Sequence, residues 1–227
     1  MNSKEKKTAI LYFALSQREE RKHKSFFYHT TTHQSLTDHF KGVFKRSGLD
    51  FFHYSEKEQE GETFGERFTN AITSIYDKGY QSVITVGNDS PGLNLHHIRK
   101  AIEALEAHKF ILGPSLDGGF YLMGLRKEYF NKNQFVNFSW NTSKLSTEIK
   151  ESISEYTQGY VQLNYLGDID SAIDLKNIIA SLGVRKKKLR KLLQHYLIIK
   201  DHLFWYLEKS VFAFVLRQSY NKGSPIL

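Results

Sequence analysis

The sequence predicts an α/β layered fold with a mainly parallel sheet over residues 1–182, followed by a helical extension over 183–227. Three observations lead there. Short β-branched or aromatic runs alternate with segments whose apolar residues recur at helical spacing. Of the 227 residues, 40% are hydrophobic and 14% aromatic, including 17 Phe and 13 Tyr, enough for a full core and too many for a disordered chain. The net charge of +8 lies wholly in the tail: residues 183–227 carry ten Lys/Arg against two Asp/Glu, leaving 22 of each in 1–182.

Taken in order, residues 8–15 read as a first buried strand. Lys4, Lys6 and Lys7 ahead of it resemble a signal-peptide start, but the apolar stretch is short and Arg18-Glu-Glu-Arg-Lys22 follows at once. Residues 16–24 read as a charged connection. Leu36, Phe40, Val43 and Phe44 give a helix over 35–47, stopped by Gly48. A second strand covers 49–54, and a helix over 64–76 shows Phe64, Phe68, Ile72 and Ile75 on one face. Ser82–Val86 is a third strand, followed by a helix over 95–107 with Asn94 as its N-cap. Strands over 110–113 and 120–125, a helix over 144–155, a strand over 160–163 and a helix over 171–182 complete the body.

The chain contains no cysteine, which excludes disulfides, thiolate metal sites and a cysteine nucleophile. No apolar run approaches the roughly 18–20 residues of a membrane-spanning helix. A cytoplasmic protein fits these features. His29 and His33 stand four apart without the rest of a zinc motif, and no Walker loop or Gly-x-Ser-x-Gly elbow is present.

In open α/β sheets, ligands bind beyond the carboxyl ends of the strands. Asp89 lies three residues past Val86 on a turn built by Gly87, Pro91 and Gly92, where a carboxylate suits a hard divalent cation. It equally suits a turn or a helix cap. In Asp117-Gly118-Gly119 the glycines permit close backbone approach to a ligand, and Asp117 suits a hydroxyl or a metal. The same three residues read as a tight hairpin turn. Asp168 and Asp170 alternate beyond a strand end, positions for a second metal contact, with Asp170 also placed to cap the next helix.

These segments occur in an order that carries a resemblance. Gly87-Asn-Asp-Ser-Pro-Gly-Leu93, Gly113-Pro-Ser-Leu-Asp-Gly-Gly-Phe-Tyr-Leu-Met-Gly-Leu125, Phe138-Ser-Trp-Asn-Thr-Ser143 and Asp168-Ile-Asp-Ser-Ala-Ile-Asp-Leu175 follow one another. Gln59-Glu-Gly-Glu-Thr-Phe-Gly-Glu-Arg-Phe68 precedes them. From about residue 8 to 182 the chain resembles a bacterial family of glycosyltransferase-like proteins of the GT-A, or nucleotide-diphospho-sugar transferase, fold. That family's relatives include the guanylyltransferases of molybdenum-cofactor and phospholactate chemistry.

The resemblance implies a three-layer α/β/α domain and a metal-dependent sugar transfer from a nucleotide-sugar. Asp89 and Asp168 would hold Mg²⁺ or Mn²⁺ on the donor diphosphate. Asp117 and Asp170 would be the catalytic carboxylates. Lys22, Lys24, Arg67, Asn88, Gly118 and Gly119 would surround the donor, with Glu66 beside Arg67; a structural ion pair is the other reading of Arg67. Trp140 and Thr142, flanking Asn141, would wall the acceptor side, unless Trp140 is simply a core residue.

One departure stands out. Members usually follow the first strand with Pro-x-x-Gly-x-x-Lys-Thr-Arg-Leu, which holds the nucleotide phosphates. Here the place reads Leu15-Ser-Gln-Arg-Glu-Glu-Arg-Lys-His-Lys-Ser-Phe26, without the proline or glycine. Backbone approach to phosphate is thereby lost and two glutamates oppose it. Nucleotidyl transfer therefore ranks behind sugar transfer, and a catalytically degenerate binding or scaffold protein of this fold is the alternative from another class.

The tail opens with Arg185-Lys-Lys-Lys-Leu-Arg-Lys191 and is rich in Phe, Tyr and Trp205. Helices packed on the domain or on a second subunit, giving a homodimer, are one reading. A peripheral anionic membrane surface met by 185–217 is another. Nucleic acid ranks last, since no recognition motif accompanies the charge.

Overall fold

In a computed structural model of the protein, the described residues are 6–23, 30–154 and 159–169, with Tyr156, Asp174, Asn177, Ala180 and Lys191 as isolated positions. The chain divides into a unit spanning Met1–Asp174 and a second spanning Leu175–Leu227; every described strand and helix belongs to the first. The expected helix over 171–182, the basic extension and its dimer and membrane readings lie outside the described residues, as do Lys24, His29 and Asp170.

The elements run β1 (Lys6–Phe13), α1 (Gln17–His23), α2 (Thr30–Ser47), β2 (Asp50–Tyr54), α3 (Phe64–Asp77), β3 (Tyr80–Val86) and α4 (Leu95–Glu106). Then follow β4 (Phe110–Pro114), β5 (Phe120–Arg126), a 3₁₀ turn (Lys127–Tyr129), α5 (Lys132–Val136), α6 (Leu145–Ser154) and β6 (Tyr160–Gln162). Two expectations change. Residues 16–24 are not an irregular connection but hold α1, and α2 begins at Thr30 rather than 35. The α1 run has no apolar stripe, yet Gln, Arg, Glu and Lys are good helix formers and Ser16 caps it, its hydroxyl accepting from the Glu19 N–H at 3.4 Å.

The six strands order as β2-β1-β3-β5-β4-β6. All pairs are parallel except those of β5, which runs antiparallel to both β3 and β4. The sheet is mainly parallel, as the alternation of strands and helices predicts. Side chains of a strand alternate between faces, and β1 shows the consequence. Phe13 meets Phe64 and Phe68 of α3 at ring separations of 5.7 and 5.1 Å. Tyr12, on the other face, meets Phe40 and Phe44 of α2 at 6.0 and 5.4 Å. Helices cover both faces, giving three layers. One core gathers Ala9, Leu11, Ile72, Ile75, Leu112, Met123, Phe135 and Ile149, all nearly inaccessible to water.

α3 starts with a complete capping box. Thr63 accepts from the Glu66 N–H at 3.1 Å, and the Glu66 carboxylate accepts from the Thr63 N–H at 3.0 Å. Those hydrogen bonds hold the Glu66 carboxyl below the usual range. Thr63→Ala is expected to cost about 1 kcal/mol of stability, read as a lower urea midpoint at unchanged slope.

Candidate functional site

Five parallel strands end on the same edge of the sheet, and a cleft of about 1160 Å³ opens there. Its wall comes from Phe13-Ala-Leu15 after β1, Glu56 and Gln59 after β2, and Thr85–Ser90 at the end of β3. Ser115, Asp117 and Gly119 after β4 and Asp168 after β6 complete that side. Three loops are stitched together around the last of these. The Ile169 N–H donates to the Asp89 carbonyl at 2.9 Å, and Ser115 bridges to Leu166. Asp89, Asp117 and Asp168, far apart in sequence, are thus brought to one cleft.

Their charges interact. Burial pushes the Asp168 carboxyl up to about 6, and the Asp117 and Asp89 carboxylates push the same way. Hydrogen bonds from Ser90 and Ser115 oppose the shift. Between about pH 4 and 6 the folded protein holds a proton at Asp168 that the unfolded chain releases, so this group lowers stability as pH rises through that window. Asp168→Asn is expected to stabilise the ligand-free protein by about 2 kcal/mol at pH 8 and by little at pH 4. Urea titrations of both proteins at the two pH values check it.

The cleft is strongly acidic. Among the described residues, Glu19, Glu20, Glu56, Asp89, Asp117 and Asp168 line it, against Arg67 as the single Lys or Arg. The segment after β1 is tied down by β2 and the loop beyond it. Ser16 donates to the Glu56 carboxylate through its N–H at 2.8 Å and its hydroxyl at 2.7 Å. His53 Nε2 lies 2.9 Å from the Ala14 carbonyl. Desolvation raises the Glu56 carboxyl, but the bonds from Ser16 outweigh it and hold the group low. A carboxylate therefore stands where the resemblance places a phosphate-binding loop.

Part of the wall is aromatic. Trp140 packs against Phe64 and Phe68 at ring separations of 5.3 and 5.1 Å and faces Phe120 at 6.4 Å; all four line the cleft. The indole N–H donates to the Phe135 carbonyl at 2.7 Å, which fixes the ring. Gly65 makes this approach possible, because a Cβ there would fall 2.6 Å from the indole. Trp140 is both a packing residue and a wall of the cleft.

Of the remaining expected residues, Asn88, Gly119 and Thr142 line the cleft. Arg67 also does, with Nη1 donating to the Glu62 carbonyl at 2.6 Å. Asp117 accepts from the Gly119 N–H at 3.0 Å, so the segment is a tight connection between antiparallel strands and a cleft wall at once. Gly118 is not among the lining residues; it sits at φ +93° against the Ser143 backbone. Lys22 is exposed and paired with Glu19 at 2.7 Å. Sequence reasoning did not single out Ser90, Ser115 or Glu56, whereas Glu19 and Glu20 are the two glutamates it set against phosphate. The two serines stand inside the motifs beside Asp89 and Asp117, a readable signal; Glu56 reaches Ser16 across 40 residues, which no local pattern reveals.

Among the described residues no three His, Cys, Asp or Glu side chains are placed to hold a metal ion unaided, and no helix is long and apolar enough to cross a membrane. The donors at Asp89, Asp117 and Asp168 are all oxygen, which suits a hard cation. Mg²⁺ in particular is usually held by one or two carboxylates together with the phosphates of a substrate.

Among solved structures, the chain is similar to a candidate nucleotide-diphospho-sugar transferase from Desulfovibrio desulfuricans G20. The two share 20% identity at a TM-score of 0.67, over 83% of this chain and 94% of that one. It is more distantly similar to Rv0371c of Mycobacterium tuberculosis H37Rv in complex with manganese, at 10% identity, a TM-score of 0.48, and 78% and 100% coverage. A glycosyltransferase involved in glycosylation of the major capsid of PBCV-1 shares 14% identity at a TM-score of 0.45, over 70% and 81%. No curated protein matches the chain. The first of these structures, with the strand order and three layers described above, establishes a GT-A-like, nucleotide-diphospho-sugar transferase fold. A family of bacterial proteins, described as "Uncharacterized protein conserved in bacteria (DUF2064)", matches residues 20–142, more than half of the sequence, and the chain belongs to it.

Proposed function

We propose that the protein is a metal-dependent glycosyltransferase that takes a sugar from a nucleotide-diphospho-sugar. The observation that carries this reading is the convergence of Asp89, Asp117 and Asp168, from three strand ends, on one large cleft of a GT-A-like fold. Six carboxylates against Arg67 make the cleft hostile to a bare diphosphate, so the donor enters with a cation. Asp89 and Asp168 would hold Mg²⁺ or Mn²⁺, which when bound neutralises charge on the departing nucleoside diphosphate.

The chain's own groups do the rest. Arg67 faces the anionic donor from the α3 side. Asp117, fixed by the Gly119 N–H, would join Asp89 and Asp168 at the cation and orient an acceptor hydroxyl beside it. Trp140 and Phe120 shield the reacting centre from water and offer flat surfaces to a sugar ring.

The test is release of nucleoside diphosphate from a panel of nucleotide-sugars, with Mn²⁺, with Mg²⁺ and with chelator. Metal-dependent release from one donor class supports the transferase. Binding without release, on every donor, favours the second reading, a degenerate GT-A-fold binding protein. The observation behind that reading is Glu56 holding Ser16 in place of a phosphate loop.

A further inference from the structure

Ser90 and Ser115 are buried polar residues at the ends of β3 and β4, 3% and 4% exposed. Each hydroxyl is spent on a cleft carboxylate. Ser90 Oγ donates to Asp168 Oδ1, and Ser115 Oγ donates to Asp117 Oδ1. The Gly119 N–H also falls on Asp117 Oδ1, leaving Oδ2 without a hydrogen-bond partner among the described residues. Both serines are themselves rigid. The Ser90 carbonyl accepts from Leu93 N–H at 3.1 Å, and Ser115 exchanges backbone bonds with Gly118 and Gly119 at 3.3 and 3.0 Å.

We propose that Ser90 and Ser115 are positioning residues that fix the rotation of the Asp168 and Asp117 carboxylates for one divalent cation. This rests on the metal-diphosphate reading of the cleft. A donor bonded to one oxygen of a carboxylate fixes its plane and directs the other oxygen, and outer partners of this kind commonly change metal affinity 10–100-fold. Without its serine donor, either carboxylate is free to rotate. Affinity for the small ion Mn²⁺ then falls more than affinity for Ca²⁺, whose larger and more flexible coordination shell tolerates a misplaced carboxylate.

The experiment measures Mn²⁺ and Ca²⁺ affinity of the full chain in saturating inorganic pyrophosphate, by free-Mn²⁺ paramagnetic resonance and by calorimetry. The proteins are wild type, Ser90→Ala, Ser115→Ala, Ser115→Cys and Ser115→Thr. Ser115→Cys keeps the shape but weakens the donor, and serves where the alanine variant folds poorly. Expected are a loss of about tenfold or more for Mn²⁺ in the Ala and Cys variants, a smaller loss for Ca²⁺, and recovery to within about threefold in Ser115→Thr. Folded variants that bind both ions within about threefold of wild type overturn the proposal. Equal losses for the two ions with no rescue by Thr also overturn it, as a purely structural effect. A wild type that binds neither ion with pyrophosphate sinks the metal-diphosphate reading itself and this inference with it.

Discussion

Asp89→Ala is expected to abolish the rise in melting temperature that a nucleotide-sugar plus Mn²⁺ produces in the wild type, while leaving the fold intact. A ligand that binds only the native state stabilises it in proportion to the logarithm of its saturation, so the shift reports affinity directly. Asp89 stands half-buried on a turn after β3, outside the hydrophobic core, so the apolar packing should survive removal of its carboxylate. For the ligand the loss is large. A cation's stabilisation of diphosphate charge is worth several kcal/mol, so nucleotide-sugar affinity in Mn²⁺ should fall roughly 100-fold or more. The variant's residual affinity should be the same with Mn²⁺ as with chelator. A variant that retains a metal-dependent shift of wild-type size would remove Asp89 from the metal site.

Gly118→Ala is the substitution with the largest expected cost in stability. Two penalties coincide. The residue has φ +93°, where a side chain strains the backbone by about 1–3 kcal/mol. An added Cβ would also fall closer than 3 Å to the Cα, carbonyl carbon and oxygen of Ser143. Backbone cannot swing away as a side chain tip does, so overpacking adds about 1–3 kcal/mol more. Together they predict a loss of roughly 3–5 kcal/mol, read from urea unfolding. Relief would come by moving Ser143 and, with it, Thr142 and Asn141, which line the cleft; the Ser146 N–H that donates to the Gly118 carbonyl at 3.2 Å would move too. Nucleotide-sugar affinity should therefore drop along with stability. A cost under about 1 kcal/mol would mean the turn relaxes freely.

Strand and helix positions were legible because burial imposes a period. The apolar run of β1, and the Phe68, Ile72, Ile75 face of α3, are buried where the spacing says they should be. α1 escaped that logic because Arg18-Glu-Glu-Arg-Lys22 has no buried stripe. Its signal was instead local, the Ser16-x-x-Glu19 spacing of a capping pattern together with good helix formers. The reversed direction of β5 could be anticipated only from Asp117-Gly118, since alternation of side chains is the same in parallel and antiparallel strands.

At the cleft, the motif order brought Asp89, Asp117, Asp168 and Trp140 to notice, and the fold places all four on its wall. What the sequence hides is pairing at a distance. Glu56 on Ser16, Ser90 on Asp168 and Gly65 under Trp140 are contacts made by topology, between residues whose types are commonplace. The acidity of the cleft is hidden for the same reason. The body of the chain is neutral overall, and only folding gathers six carboxylates into one cleft with Arg67.

On the proposed reading, this acidic cleft takes a nucleotide-diphospho-sugar only together with a divalent cation. Calorimetric titration of the wild type with a panel of nucleotide-sugars, in Mn²⁺ and in chelator, tests it most directly. Saturable binding of one donor class in Mn²⁺, at least about tenfold weaker in chelator, is the predicted result. Binding of equal strength in chelator, or none to any donor in either condition, contradicts the claim.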